Sequence, residues 1–181
     1  MKQNRKGIAL MLALALVLTL IPASAFATTD NKVASVPTVE AEEVMPITTM
    51  TFTASDADGI PAGEVQQIKL SLDNAVWAME DPTKDTIVTE GALAIATAAG
   101  IGVETNAGGA QITVAGISVG DDYAEISIQS SVAIAKDEYI KLTLGLEAGE
   151  EAGEVKVNVE GLDSRISSGS YTVAVVAGGE T

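Results

Sequence analysis

Carboxylates are the side chains best supplied for chemistry in this sequence. Its 181 residues include 25 Asp and Glu but neither Cys nor His. Without Cys and His the chain has no Ser-His-Asp triad, no thiolate nucleophile and no zinc, iron–sulfur or haem site of the usual ligands. Lys and Arg total ten, for a formal net charge of −15, and nucleic-acid binding needs clustered cations. The composition therefore predicts neither such a cofactor nor a nucleic-acid partner.

One pair of carboxylates has the spacing of half a calcium loop. Asp56 and Asp58 lie two residues apart and precede Gly59, and hard carboxylate oxygens suit Ca²⁺. A complete loop needs a third ligand and a terminal bidentate Glu at a fixed offset, and Glu64 is too near to be that residue. Asp56 and Asp58 are therefore a calcium candidate, and the competing interpretation, which the pattern favours, is an ordinary turn.

Other arrangements that could support catalysis are nonspecific. A chain with 25 acidic residues always contains some pair of carboxylates at a glycosidase separation. Ser130-Ser131 with Lys136 has the residue types of a Ser/Lys nucleophile, but Lys136-Asp137-Glu138 is typical of a surface turn. We therefore predict that the protein is not an enzyme.

Alternation of apolar and polar residues is the main pattern after residue 47. Apolar residues two apart, with Thr, Ser, Lys or Glu between them, describe strands with one buried and one wet face. Clusters of Gly, Asp and Asn separate these stretches, as turns require. The alternating stretches are 50–54, 68–72, 112–114, 117–119, 124–128, 140–146, 155–159 and 171–175.

These strands predict an all-β fold over residues 47–181, a two-sheet antiparallel β-sandwich of jelly-roll or Ig type with about 7–10 strands. Residues 89–100 are rich in Ala but alternate at Leu93 and Ile95, so either a strand or a short helical crossover is expected there. Trp77, the one tryptophan, is predicted to be a core aromatic between the sheets, with a ligand platform as the alternative.

The first 27 residues have the features of a signal peptide. Lys2, Arg5 and Lys6 precede an apolar run over 8–21, and Ala25-Phe26-Ala27 has the Ala-x-Ala pattern of a cleavage site. The run is shorter than the roughly 20 residues that span a bilayer. We predict a signal helix removed after Ala27, and therefore a secreted protein, extracellular or at the cell surface, with no membrane association after cleavage.

Residues 28–46 differ from the sequence that follows them. The segment contains Val33, Val36 and Val39, but Pro37 disfavours a central strand and an acidic cluster follows at 40–43. One interpretation is a flexible arm between the cleavage site and the domain. The other is a donor strand, with the three valines as an assembly arm that adds to the open sheet edge of a neighbouring subunit.

The stretches 68–77, 153–161 and 171–176 resemble a β-sandwich module of secreted bacterial surface proteins. That module often precedes a domain similar to the N-terminal part of copper amine oxidases, and the likeness spans residues 47–176. The resemblance implies a structural or adhesive role at the surface and no enzymatic one, and it carries over no functional residues.

Together these features predict a secreted structural protein of the cell surface or extracellular matrix, and more specifically a self-assembling fibre subunit joined by donor-strand or edge-strand pairing. Its partners would be other copies of itself or other surface components. The alternative is a non-catalytic binding module for carbohydrate or a cell-wall polymer, which requires an exposed ring or a concave polar strip.

Overall fold

The structure, a computed structural model, describes residues 28–78, 87–90, 93–96 and 101–178. The predicted signal peptide, residues 1–27, lies outside these ranges. No helix in the described part of the chain is long and apolar enough to cross a membrane. The strands are β1 (Thr29–Val33), β2 (Thr38–Val39), β3 (Thr48–Ala54), β4 (Val65–Asp73), β5 (Ala75–Trp77), β6 (Ile87–Glu90), β7 (Leu93–Ala96), β8 (Ile101–Thr105), β9 (Ile112–Val119), β10 (Tyr123–Ser130), β11 (Tyr139–Leu144), β12 (Leu146–Ala148), β13 (Gly153–Gly161) and β14 (Gly169–Val176).

Most of these strands form two six-stranded sheets. The first sheet has the order β1-β3-β11-β8-β7-β6 and the second β2-β14-β13-β4-β10-β9, while β12 and β5 form a short third sheet. The predicted all-β class is confirmed. The described strands exceed the predicted number, and the pairing of β2 with β14 is parallel where an antiparallel sandwich was expected.

The inward faces of the two large sheets share one apolar core. On β3, Met50 and Phe52 are fully buried, whereas the threonines that alternate with them remain partly exposed. Ile140 and Leu142 of β11 pair with Phe52 and Met50, and directly paired residues share a face. The second sheet contributes buried residues in the same alternation, and the result is a β-sandwich-like fold. They include Ile68, Leu70, Ile126, Ile128, Val157 and Val159.

The extra strands arise where two sequence runs change sheet. Asn74, in the left-handed region with φ 56°, separates β4 of the second sheet from β5 of the third. Gly145 similarly separates β11 of the first sheet from β12. Asn74 is held in place because its Nδ2 donates to the Glu151 carbonyl at 2.7 Å and its own carbonyl accepts from the Gly149 amide at 2.8 Å. Each run that reads as one strand in the sequence is therefore two strands in the structure.

Residues 28–46, predicted to be a flexible arm or a donor strand, contribute two strands to the sheets of their own subunit. Strand β1 pairs with β3, and β2 pairs with β14. Val39 and Met45 belong to the core cluster. The sheets therefore include residues before position 47, because backbone pairing and two buried side chains outweigh the effect of the prolines and acidic residues around them.

Within residues 89–100, the structure describes strands and leaves 91–92 and 97–100 outside its ranges. Strand β6 pairs with β7, and β7 pairs with β8, both in antiparallel register. Of the two interpretations of this segment, the described residues adopt the strand.

We expect Phe52→Ala to lower the free energy of unfolding by about 3–5 kcal/mol, because it leaves a cavity between the sheets. Thr53→Ala, one residue along on the partly exposed face of β3, is the matched control and should change stability by less than about 0.5 kcal/mol. Urea denaturation of both variants checks this, and equal losses would contradict the assignment of the two faces.

Candidate functional site

The ends of the two sheets are the candidate site, because edge strands have backbone groups that their own sheet does not pair. Strand β2 is two residues long and follows Pro37. Strand β9 contains a bulge. Its register against β10 shifts between Ile126 and Ser127, because Gly116 of β9 has no residue opposite it. Short length, proline and bulges all protect an edge from pairing. Strand β1 has none of these features, and its five residues pair with β3 without interruption.

The hydrogen-bond alternation along β1 determines which of its residues face the open edge. The Thr28 carbonyl accepts from Ser55 and the Ala34 amide donates to Thr49, so residues in the same phase, such as Asp30, bond to β3. In an antiparallel pair the intervening residues direct their backbone groups away from the partner. Thr29, Asn31 and Val33 therefore present the outer edge of the first sheet.

A set of polar contacts ties this edge to the second sheet. Ser167, just before β14, accepts from the Thr29 amide at 3.2 Å and donates to the Thr29 carbonyl at 2.6 Å, both through Oγ. Its amide in turn donates to Thr29 Oγ1 at 2.9 Å. Asn31 Nδ2 donates to the Ser167 carbonyl at 2.6 Å and to the Tyr171 hydroxyl at 2.8 Å. We call these four residues, Thr29, Asn31, Ser167 and Tyr171, the polar latch.

A buried glutamine holds the loop that carries Ser167. Gln66 is 1% exposed, and its Oε1 accepts from Ser164 Oγ at 3.1 Å and from the Arg165 amide at 2.7 Å. Glu64 Oε1 accepts from Gln66 Nε2 at 3.2 Å and from Arg165 Nε at 3.0 Å. The Arg165 carbonyl accepts from the Thr28 amide at 2.7 Å. The loop therefore meets the beginning of β1 from the side of the second sheet.

The sequence analysis did not predict a role for the loop that contains Ser164, Arg165 and Ser167, although the position of Gln66 gave one indication of it. Gln66 lies in phase with the apolar residues Ile68 and Leu70 of β4, so its position is inward. A polar residue at an inward position must find hydrogen-bond partners inside the protein. The phase of Gln66 therefore predicts an internal polar contact, but it gives no indication of the partner, which lies about a hundred residues further along the chain.

The structure does not bring the three valines of the predicted assembly arm together. Val33 is on β1 in the first sheet and packs against the core, while Val39 is on β2 in the second sheet and is buried. Val36 lies on the connection between them and is 51% exposed. Whether this segment acts in assembly stays a prediction.

The calcium candidates lie in a tight turn after β3. Asp56 Oδ1 accepts from the amides of Asp58 and Gly59 at 3.1 and 2.9 Å, which is the hydrogen bonding of an Asx turn. Gly59 is in the left-handed region and is buried against the carbonyl of Ile134. Within the ranges that the structure describes, no group of three or more acidic side chains is arranged to hold a metal ion. Calcium binding by Asp56 and Asp58 stays a prediction.

Trp77 closes the end of the core near the third sheet. The side chain is 8% exposed and belongs to the core cluster. Its Nε1 donates to the Tyr123 carbonyl at 3.2 Å, so the one polar atom of the indole has a partner, as buried tryptophans usually require. This ring offers little surface to a ligand.

Ion pairs lie on the outer faces of both sheets. Lys141 Nζ is 2.6 Å from Glu104 Oε2, and this hydrogen bond raises the pKa of Lys141. Lys156 Nζ is 2.7 Å from Glu154 Oε2, and the contact lowers the pKa of Glu154 while raising that of Lys156. Exposed pairs of this kind contribute little to stability.

A shallow depression of about 270 Å³ lies on the second sheet, across β4, β10 and β9. Its lining combines polar side chains, among them Gln67, Glu125 and Ser127, with apolar ones such as Leu162. Nearby on the same sheet, Lys69 Nζ lies 5.4 Å from the centre of the Tyr123 ring. The arrangement can offer hydrogen bonds to a polar ligand.

No family model, curated protein or solved structure matches this chain. The contacts of β1, the polar latch and the depression are therefore the observations that bear on function. Of these, the edge of β1 at Asn31 and Val33, beyond the Thr29 groups that Ser167 occupies, can add a strand, and the depression can bind a small polar group.

We expect Tyr171→Phe to lower the free energy of unfolding by about 1 kcal/mol, because it removes the hydroxyl that accepts from Asn31. Asn31→Ala should cost about 1–3 kcal/mol, since it also deprives the Ser167 carbonyl of its donor. Ser170→Ala, an exposed change on the same strand as Tyr171, serves as the control. If Asn31→Ala matched that control in urea denaturation, the polar latch would have no role in holding β1.

Proposed function

We propose that this protein is a secreted structural component of the cell surface or extracellular matrix, a fibre subunit whose copies join by pairing of edge strands. The observation that carries the proposal is that β1 is a regular, unbulged strand at the end of a sheet. Backbone hydrogen bonds along such an edge give affinity, and side chains that alternate between faces fix the register. The resemblance to surface-protein modules is in keeping with this role.

The body of the subunit would be a two-sheet sandwich of jelly-roll or Ig type, which supplies a rigid scaffold. We infer no catalytic role for it. In the part of the chain that the structure describes, the most buried polar cluster, around Gln66, consists of side chains that bond to a loop backbone and to each other. Those contacts hold a loop in place, which supports a structural role for this cluster.

Charge would regulate association. The predicted leader contains three of the ten basic residues and none of the 25 acidic ones, so the remainder has a formal charge of −18. Repulsion between copies is strong at low salt, where the Debye length is about 30 Å at 0.01 M, and weak at about 8 Å in 0.15 M salt. Divalent cations would screen the charge further, and Asp56 and Asp58 are the candidate sites for Ca²⁺.

We expect protein that begins at Thr28 to form filaments visible by electron microscopy at 0.15 M salt, and fewer of them at 0.01 M. Deleting residues 28–34 removes β1 and should abolish filaments, whereas Asp30→Ser with Lys32→Ser changes only exposed side chains of β1 and should preserve them. Protein that stays monomeric at high concentration, with and without Ca²⁺, would contradict the proposal, as would a deletion without effect.

A second candidate function, a binding module for carbohydrate or a cell-wall polymer, is favoured by the polar depression on the second sheet. If it holds, titration calorimetry with wall polysaccharide should give saturable heat, and Gln67→Ala and Glu125→Ala should each raise the dissociation constant about tenfold, roughly the cost of one lost hydrogen bond. Ser170→Ala, outside the depression's lining, should leave the heat unchanged. Because Trp77 is buried, its emission should not move on binding. Absence of heat at millimolar ligand would exclude this candidate.

A further inference from the structure

We infer that β1 exchanges between copies of this chain, so that β1 of one subunit pairs with β3 of the next in the register seen within the subunit. This inference rests on the proposed self-assembly and deepens it, because it names the donor strand, the acceptor edge and the partner, a second copy. In the exchanged form Asp30 would face Thr53 and Lys32 would face Thr51 of the neighbouring chain, as they do within one chain here.

The connection between β1 and β2 is short. Strand β1 ends in the first sheet and β2 begins in the second, and the Ala34 amide still donates to Thr49 while the Pro37 carbonyl already accepts from Val175. Only Ser35 and Val36 lie between these two fixed points. Four residues extend over roughly 14 Å at most, against a sheet separation of about 10 Å. A hinge this short favours strand exchange, because opening it removes the need to cross between sheets within a few residues.

The contacts that β1 makes with the second sheet are mostly polar. Among its inward side chains only Val33 is apolar, while Thr29 and Asn31 bind through the polar latch. Undocking β1 therefore exposes little apolar surface from the strand itself, and water can replace its polar partners. Elements with few buried apolar contacts open at low free energy, so β1 is suited to leave.

The edge of β3 that β1 would vacate fits the β1 of a second copy. Without β1, the edge strand of the first sheet would be β3, next to the fully buried Met50 and Phe52. A strand that covers it must also present an amide to the Tyr171 hydroxyl and the Ser167 carbonyl. The β1 of another copy meets these requirements in full. Each chain then has one donor and one acceptor, and such head-to-tail association forms an open chain of subunits unless it closes on itself.

Cysteine cross-linking tests the exchange, because the chain contains no cysteine. Lys32 and Thr51 are directly paired, and both side chains reach the outer face, so their Cα separation of about 5.5 Å suits a disulfide. Lys32→Cys is made in one batch and Thr51→Cys in a second batch with a mass tag, and the two are mixed under mild oxidation. Asp30→Cys with Thr53→Cys is the second pair, in case the first impairs folding.

We expect a disulfide-linked heterodimer that disappears with reductant and is more than about tenfold more abundant than in the control, because exchanged strands hold the two thiols at an effective concentration near millimolar. The control pair is Ser71→Cys mixed with Asn158→Cys, which are paired on β4 and β13 inside the second sheet. A heterodimer no more abundant than in this control overturns the exchange.

The two proposals fail in different ways. Filaments of the unmodified protein without the heterodimer would leave self-assembly standing and refute exchange of β1. If the disulfide-linked heterodimer forms but the protein assembles only into closed dimers, the exchange is upheld and the fibre is refuted. In the double variant Lys32→Cys with Thr51→Cys, a reductant-sensitive ladder on a denaturing gel supports exchange along a chain of subunits, whereas an internally bridged monomer as the sole product contradicts it.

Discussion

Backbone amides and carbonyls at the end of a β-sheet must find partners beyond that sheet, and this requirement shapes the periphery of the molecule. Strand β2 is too short to template another strand, and β9 is bulged. Strand β1 is regular, and the alternation of its hydrogen bonds directs Thr29, Asn31 and Val33 outward. The Ser167 side chain bonds to the outward amide and carbonyl of Thr29, where a further strand would otherwise pair. The same geometry that completes the subunit is the basis of the proposed exchange of β1.

Polar contacts replace covalent ones in this protein. Disulfides stabilise many small domains, but this chain contains no cysteine. The start of β1 is instead held by Ser167, and the loop carrying Ser167 is held by buried Gln66. Each such hydrogen bond contributes only about 0.5–1.5 kcal/mol. Several together hold β1 in one register, although each is weak by itself.

Alternation was sufficient to predict the strands that form the core, because a period of two places Met50, Phe52, Ile68 and Leu70 on inward faces whatever the topology. It was insufficient where pairing, rather than pattern, determines the structure. Residues 28–46 have few apolar side chains and two prolines, and only the presence of β3 and β14 beside them makes strands there. The buried role of Gln66 could be anticipated from its phase, but its partners near residue 165 lie too far along the chain for any local signal.

The runs that pass through Asn74 and Gly145 have a mechanical consequence. Each leaves a large sheet and enters the same two-stranded ribbon, β5 with β12, so covalent backbone joins both layers to one shared element. A pulling force applied to either layer is thereby divided between them, and shearing one layer past the other would require tearing that ribbon.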